Sequence, residues 1–297
     1  MARRRRSAAG TAGAVVAILA VGALAVGGVL WFLSAREPDL IRERCAADLD
    51  GTSWYLTPVQ AQNAALIVGT SIQRGLPARA GTIGVATALQ ESSLVNIEYG
   101  DRDSLGLFQQ RPSQGWGTPA EIMDPEYSTN AFYAGLEQVD GWHDLDVTVA
   151  AQAVQRSAFP DAYAQHETRS RAWASSLTGH SPASVTCELF GLTTDDDEPV
   201  ELSERLSRDL GLPAEAVSAV GPVWSIDATA LDDEDAEQST WAVAHWAVAT
   251  AKGTAAVEVR TGDQVWTRDD AAWAPLDEEA DAPPSGTVEV TVGTPTE

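Results

Sequence analysis

Apolar and polar positions alternate differently in successive stretches of the chain. No charged residue occurs from Ser7 to Ala35, and Val15 to Leu33 is almost entirely apolar. Roughly 20 such residues span a bilayer as a helix, so residues 1–35 are predicted to form an arginine cluster and one transmembrane anchor. From Thr57 the apolar positions take a helical period. Thr57 is a predicted N-cap and Pro58 fits the first helical position; Ala61, Ala64, Ala65, Val68 and Ile72 then share one face up to Arg74. Gly75-Leu76 breaks the run, and Pro77 starts a second helix through Ile83, Ala86, Ala88 and Leu89 to Glu91. Val95 to Gln114 has no helical period and is rich in Gly, Asp and Ser, which predicts loop or irregular strand. Helices are predicted again from Pro119, from Ser128 through Phe132, Tyr133 and Leu136, from Thr148 through Val154, and from Pro160 past Tyr163 to Trp173 and Leu177.

Asp195-Asp196-Asp197-Glu198-Pro199 reads as an acidic, proline-ended linker. Beyond it the pattern mixes periods. Glu201 to Leu210 and Trp241 to Thr250 are helical, while Val223 to Ala228, Ala255 to Arg260, Gln264 to Arg268 and Thr287 to Val292 alternate as strands. Asp232 to Asp235 forms an acidic turn, and Gly262-Asp263 turns one hairpin. The expected architecture is therefore a transmembrane helix (1–35), a stalk (36–56), a mainly α domain (57–187), a linker (188–200) and a small α/β (α+β) module (201–297).

The flanking charges orient this arrangement. Arg3 to Arg6 precede the apolar span and should stay cytoplasmic, leaving the bulk of the chain outside a cell membrane crossed once. A cleaved signal peptide is the competing reading, with Leu33-Ser34-Ala35 a poor cleavage site. Cys45 and Cys187 both fall beyond the span, so an oxidising exterior predicts a disulfide between them. Closing so long a loop contributes on the order of 4–5 kcal/mol through chain entropy. The formal charge is −24; residues 1–44 carry seven arginines against three acids, so the remainder stands near −28. Such acidity excludes nucleic acid as a partner, because phosphates need a basic footprint. No His, Cys or carboxylate cluster has ligand spacing, so neither metal nor cofactor is expected, and His245 reads as a packed or surface histidine.

Candidate chemistry centres on Glu91. A carboxylate at the end of a buried helix faces apolar neighbours on one side, and burial raises its pKa toward that of a general acid at neutral pH. Fourteen positions after Ser92 begins Gly106-Leu107-Phe108-Gln109-Gln110-Arg111-Pro112, a predicted turn whose amides would line the same cleft. Trp116, Tyr99 and Trp142 are candidate flat apolar faces for such a cleft, although an aromatic in an α domain is more often core.

Glu91-Ser92 followed by Gly106 to Pro112 resembles the catalytic block of lytic transglycosylases and goose-type lysozymes, where Glu-Ser precedes Gly-Leu-Met-Gln-x-x-Pro; Phe108 stands in the methionine position. The string from Gln90 to Trp116 is similar to the version found in actinobacterial wall hydrolases, and the resemblance covers about residues 57–178. It implies a lysozyme-like α fold acting on peptidoglycan glycan strands, at the β-1,4 bond between N-acetylmuramic acid and N-acetylglucosamine. One Glu, here Glu91, would protonate the leaving oxygen and then take a proton from the muramic 6-hydroxyl, closing a 1,6-anhydro ring without a protein nucleophile. Most glycosidases instead use two carboxylates. Glu98, Asp101 and Asp103 lie between the motifs, and any of them could position a water, so lyase and hydrolase outcomes both stand. Gln109 and Gln110 could hydrogen-bond the sugar N-acetyl groups or the backbone near Glu91, and the resemblance favours Gln109 as a substrate contact; Ser92 is a further candidate contact. The family's later Ala-Tyr-Asn-x-Gly is replaced by Ala153-Val154-Gln155-Arg156-Ser157. Gln155 would stand for the asparagine and Tyr163, or Tyr133, would supply the tyrosine beside the acid. The alternative reading is a catalytically inactive glycan-binding or wall-assembly protein.

Overall fold

The computed structural model describes residues 43–156, 161–193, 199–232, 235–277 and 279–294. The arginine cluster, the predicted anchor, Ser157 and the linker acids Asp195 to Glu198 lie outside these residues. Among the described residues no helix is long and apolar enough to cross a membrane. Residues 43–297 form one compact unit.

The unit begins with a hairpin, β1 (Arg44–Leu49) and β2 (Thr52–Leu56). Asp50 and Gly51 both take positive φ at its tip, 52° and 75°, the backbone that matches the twist of a two-residue hairpin turn. Thr57 then caps α1 (Pro58–Gln73) through a reciprocal pair of bonds with Gln60. α2 (Ala78–Ser92), α3 (Pro119–Met123), α4 (Pro125–Leu136), α5 (Val147–Gln155) and α6 (Glu167–Leu177) follow. α4 starts at the Asp124 cap rather than at Ser128, because Asp124 accepts the free amides of Glu126 and Tyr127. β3 (Val185–Glu188) returns beside β1 with Cys187 opposite Cys45, and the two are joined by a disulfide.

The remaining chain supplies α7 (Leu202–Leu210), β4 (Val217–Val220), β5 (Val223–Asp227), α8 (Ala236–Ala249), the short α9 (Ala251–Thr254), β6 (Ala256–Thr261), β7 (Gln264–Thr267), β8 (Trp273–Pro275) and β9 (Thr287–Val292). Two antiparallel sheets result, ordered β2-β1-β3 and β4-β5-β9-β6-β7-β8.

This architecture corrects the expected one of a mainly α, lysozyme-like domain followed by a small separate module; the expected transmembrane helix falls outside the described residues. Nine strands occur among the described residues; in the smaller sheet β1 and β2 lie where a stalk was expected and β3 at the end of the segment that was expected to be helical. α8 explains why the chain is a single α+β body. It is apolar on nearly all sides, with Ala242 to Ala249 buried throughout, and a helix of that kind must be enclosed. It packs against α1 and α6 on one side and against β3, β6 and β9 on the other. Indole bonds tie the layers: Trp173 Nε1 donates to Trp54 O (3.0 Å), Trp273 Nε1 to Val185 O (2.7 Å) and Trp266 Nε1 to Thr186 Oγ1 (3.0 Å).

Candidate active site

Glu91 sits in the last turn of α2, and its place is set by how that helix ends. Ser93 and Leu94 both adopt left-handed backbone (φ 55° and 60°). Leu94 N–H reaches back to Ala88 O (2.8 Å) while the Leu94 side chain is fully buried. Carbonyls freed at a helix end need donors, and α1 provides them: Gln60 Nε2 donates to Ser93 O (2.8 Å) and Asn63 Nδ2 to Leu94 O (2.9 Å). Helix α1 therefore fixes the turn that carries Glu91.

The Gly106 segment is stitched to the same place. Ser92 Oγ donates to Leu107 O (2.7 Å), with Ala88 O also within reach at 3.1 Å. Gly106 has φ 76° and its N–H bonds Ile97 O (2.8 Å); a Cβ there would lie 2.6 Å from Ile122 O, so only glycine fits. Leu105 and Gln110 bridge across the turn. Leu107 and Phe108 are fully buried, and Phe108 stacks on Phe132 of α4 with ring centroids 4.6 Å apart. From the end of α5, Gln155 Nε2 donates to Phe108 O (2.7 Å).

These struts surround a half-buried carboxylate with one short bond. Tyr163, itself fully buried, donates its hydroxyl to Glu91 Oε1 over 2.6 Å. Burial raises the Glu91 pKa above the usual carboxylate value, and hydrogen bonds from Tyr163 and Gln155 pull it part of the way back. Glu91 therefore keeps its proton to a higher pH than an exposed carboxyl does. Next to it, Gln90 Oε1 accepts from Gln165 Nε2 (3.1 Å) and meets His166 Nε2 at 3.2 Å. Burial, followed by the nearby Arg169, holds the His166 pKa below its usual value. Sequence reasoning missed Gln60, Asn63, Gln90, Gln165 and His166, since no periodicity marks a residue whose work is to hold a helix end or a neighbour.

The other candidates divide. Ser92 and Gln110 are buried and bond the protein's own backbone, Gln110 Nε2 donating to Ser128 O (3.0 Å); they brace the loop rather than face a ligand. Gln109, at φ 47°, directs its amide to Tyr99 O (3.2 Å) and Gly106 O (3.3 Å) and is half-buried. Tyr99 is 74% exposed, an open aromatic face beside that loop, and Trp116 is half-buried near Gly135. Tyr133 does not reach Glu91: its hydroxyl donates to Ile67 O (2.9 Å) inside the core. Trp142 is likewise core, and Arg156 is an exposed residue in left-handed backbone at the end of α5.

Of the three neighbouring acids, Asp103 is engaged. Ser113 N–H (2.8 Å) and Arg111 Nε (2.8 Å) bond its two oxygens, and these bonds hold its pKa far below the carboxylate range. Asp101 is exposed with Arg102 Nε at 3.8 Å, and Glu98 is exposed. His245 is buried between Ser176 O (2.7 Å from Nδ1) and Ser184 N–H (3.1 Å to Nε2), so its ring serves the core. No protein family matches this chain, and no curated protein is similar to it.

Proposed function

We propose that this protein cleaves the β-1,4 glycosidic bond of peptidoglycan between N-acetylmuramic acid and N-acetylglucosamine, using Glu91 as its only acid/base, at the outer face of a membrane to which an N-terminal span anchors it. The observation that carries the reading is the 2.6 Å bond from Tyr163 to a half-buried Glu91 whose pKa is raised by burial. A protonated Glu91 gives its proton to the bridging oxygen as the C1–O bond breaks. The carboxylate so formed, held by Tyr163 and Gln155, accepts the proton of the muramic 6-hydroxyl while O6 bonds C1. The products are a free N-acetylglucosamine end and a 1,6-anhydromuramic end, and Glu91 is protonated again. The engagement of Asp103 by Ser113 and Arg111 favours this route over one in which a second carboxylate activates water.

The test is to digest purified peptidoglycan with the full-length protein and weigh the soluble muropeptides. Products one water lighter than hydrolytic ones are expected, and none from Glu91→Gln. Hydrolytic masses would replace the lyase route, and an inert wild type that still sediments with the wall would replace the enzyme by a glycan-binding protein.

A further inference from the structure

One turn of chain grips two neighbouring side chains at the end of α2. Within residues 162–166, Tyr163 holds Glu91, while Gln165 and His166 both meet Gln90. These contacts fix which way round the Gln90 amide lies. Ala162 O, a backbone carbonyl, can only accept, so the Gln165 atom 3.1 Å from it is the amide nitrogen Nε2. The same nitrogen lies 3.1 Å from Gln90, which must therefore turn its carbonyl oxygen Oε1 toward it. Oε1 also can only accept, so His166 Nε2, 3.2 Å away, carries a hydrogen. Burial, followed by Arg169, disfavours the charged ring, and the neutral imidazole keeps its one N–H at that position.

A donor is left facing out. With Oε1 taken by two donors, the Gln90 nitrogen Nε2 points away from them and reaches solvent, and among the described residues none accepts from it. Turning the amide over would set its NH2 group against two other N–H donors, so the orientation is locked. Gln90 is half-buried and adjacent to Glu91 in the same helical turn. A fixed pair of N–H groups beside the acid takes a carbonyl oxygen and rejects an ammonium, which can only donate. On the glycan proposed above, the 2-acetamido group offers such a carbonyl, and removing its acetyl leaves an ammonium.

We propose that Gln90 is a specificity-determining residue that donates to a 2-acetamido carbonyl of the glycan at Glu91, and that Gln165 and His166 are positioning residues that hold its amide in that sense. The identity of the glycan rests on the proposed function; the orientation of the amide does not.

The test compares kcat/KM of the full-length protein on purified peptidoglycan and on the same material chemically de-N-acetylated. Gln90→Met keeps the length of the side chain and cannot donate. It should lower the preference for the acetylated wall by roughly 3- to 10-fold, the effect of one neutral hydrogen bond. His166→Leu should lower the preference in the same direction, and His166→Gln, which restores a donor, should return it. In the Gln90→Met background His166→Leu should change nothing further, because the amide it positions is gone. A purely structural Gln90 would lower both rates alike, so an unchanged preference in Gln90→Met overturns the proposal, as does a His166→Leu loss that adds to that of Gln90→Met. If the wild type cuts neither wall, the proposed reaction fails by itself. The same ratio is then read as affinity, by sedimentation with the two walls, with the same expectation and the same overturning results.

Discussion

Replacing Tyr163 by Phe deletes one hydroxyl and leaves the volume of a fully buried ring in place. In the native protein that hydroxyl donates to Glu91 Oε1 over 2.6 Å. The bond strengthens as Glu91 parts with its proton, since an ionised acceptor binds a donor more tightly than a neutral one. Hydrogen bonds to charged groups contribute about 1.5–3 kcal/mol, and about 1.4 kcal/mol is tenfold in rate. Tyr163→Phe should therefore lower kcat by roughly 10- to 100-fold with KM little changed, the pattern of an interaction made in the transition state. The same bond opposes the burial that raises the Glu91 pKa. Without it burial acts less opposed, the pKa climbs further, and the alkaline limb of the pH–rate profile moves to higher pH. The assay is the rate of soluble muropeptide release from purified peptidoglycan across pH. A variant with native kcat and a native alkaline limb refutes the reasoning; a lower kcat with an unmoved limb would reduce Tyr163 to a packing role.

Three further outcomes are expected. Glu91→Gln should melt above wild type at pH 7. A carboxyl whose folded pKa is raised contributes stability below its ordinary value near 4.5 and loses it as pH rises through the folded one, so the gap should close on acidification; equal melting at pH 7 contradicts the burial argument. Asp209→Ala strips three donors of their acceptor, Arg205 Nε (3.1 Å), Trp246 Nε1 (3.0 Å) and Arg208 Nε (2.7 Å), at a fully buried site. Breaking such a buried pair costs about 3–5 kcal/mol, or roughly 10 °C in Tm for a unit of this size, in one calorimetric transition; two separated transitions would show that the C-terminal region unfolds alone. His245 is buried and its pKa pushed down to about 4. Its neutral form supports folding fully above the ordinary pH 6.5, and about 3 kcal/mol of that support drains as pH falls toward 4. Between those pH values wild type should lose more stability than His245→Gln, and parallel curves would sink this account.

What could be read from the sequence was local. The Thr57-Pro58 start, the Pro119 helix, the Gly262-Asp263 hairpin and the strands near 223, 256, 264 and 287 all depend on residues a few positions apart, and each appears near its expected place. The disulfide was legible too, from compartment and count. β1 was not, because its burial runs over Cys45, Ala46 and Ala47 together rather than alternating, and a strand covered on both faces has no period to detect. At the site, Glu91 and Tyr163 were within reach of sequence reasoning. The inward duty of Ser92 was not, and for Gln110 the sequence left sugar and backbone both open, since the same side chain serves a ligand or a carbonyl depending on which way the loop turns it.

The larger miss concerns how far the support of Glu91 extends. Its helix end is held by Gln60 and Asn63 of α1. α1 is held in turn by α7, where Arg205 Nη1 donates to Gln62 Oε1 (2.7 Å) and Gln73 Nε2 donates to Arg208 O (2.8 Å). At Gly69 the Asp209 carbonyl comes so close that any Cβ would collide with it. Asp209 then receives Trp246 of α8, the helix enclosed between both halves of the fold. A periodic pattern reports that α1 and α8 each have apolar faces and says nothing of which face meets which. The contacts that decide it join residues more than 130 positions apart, and they make the C-terminal sheet and helices part of what holds the acid in place rather than an appendage to it.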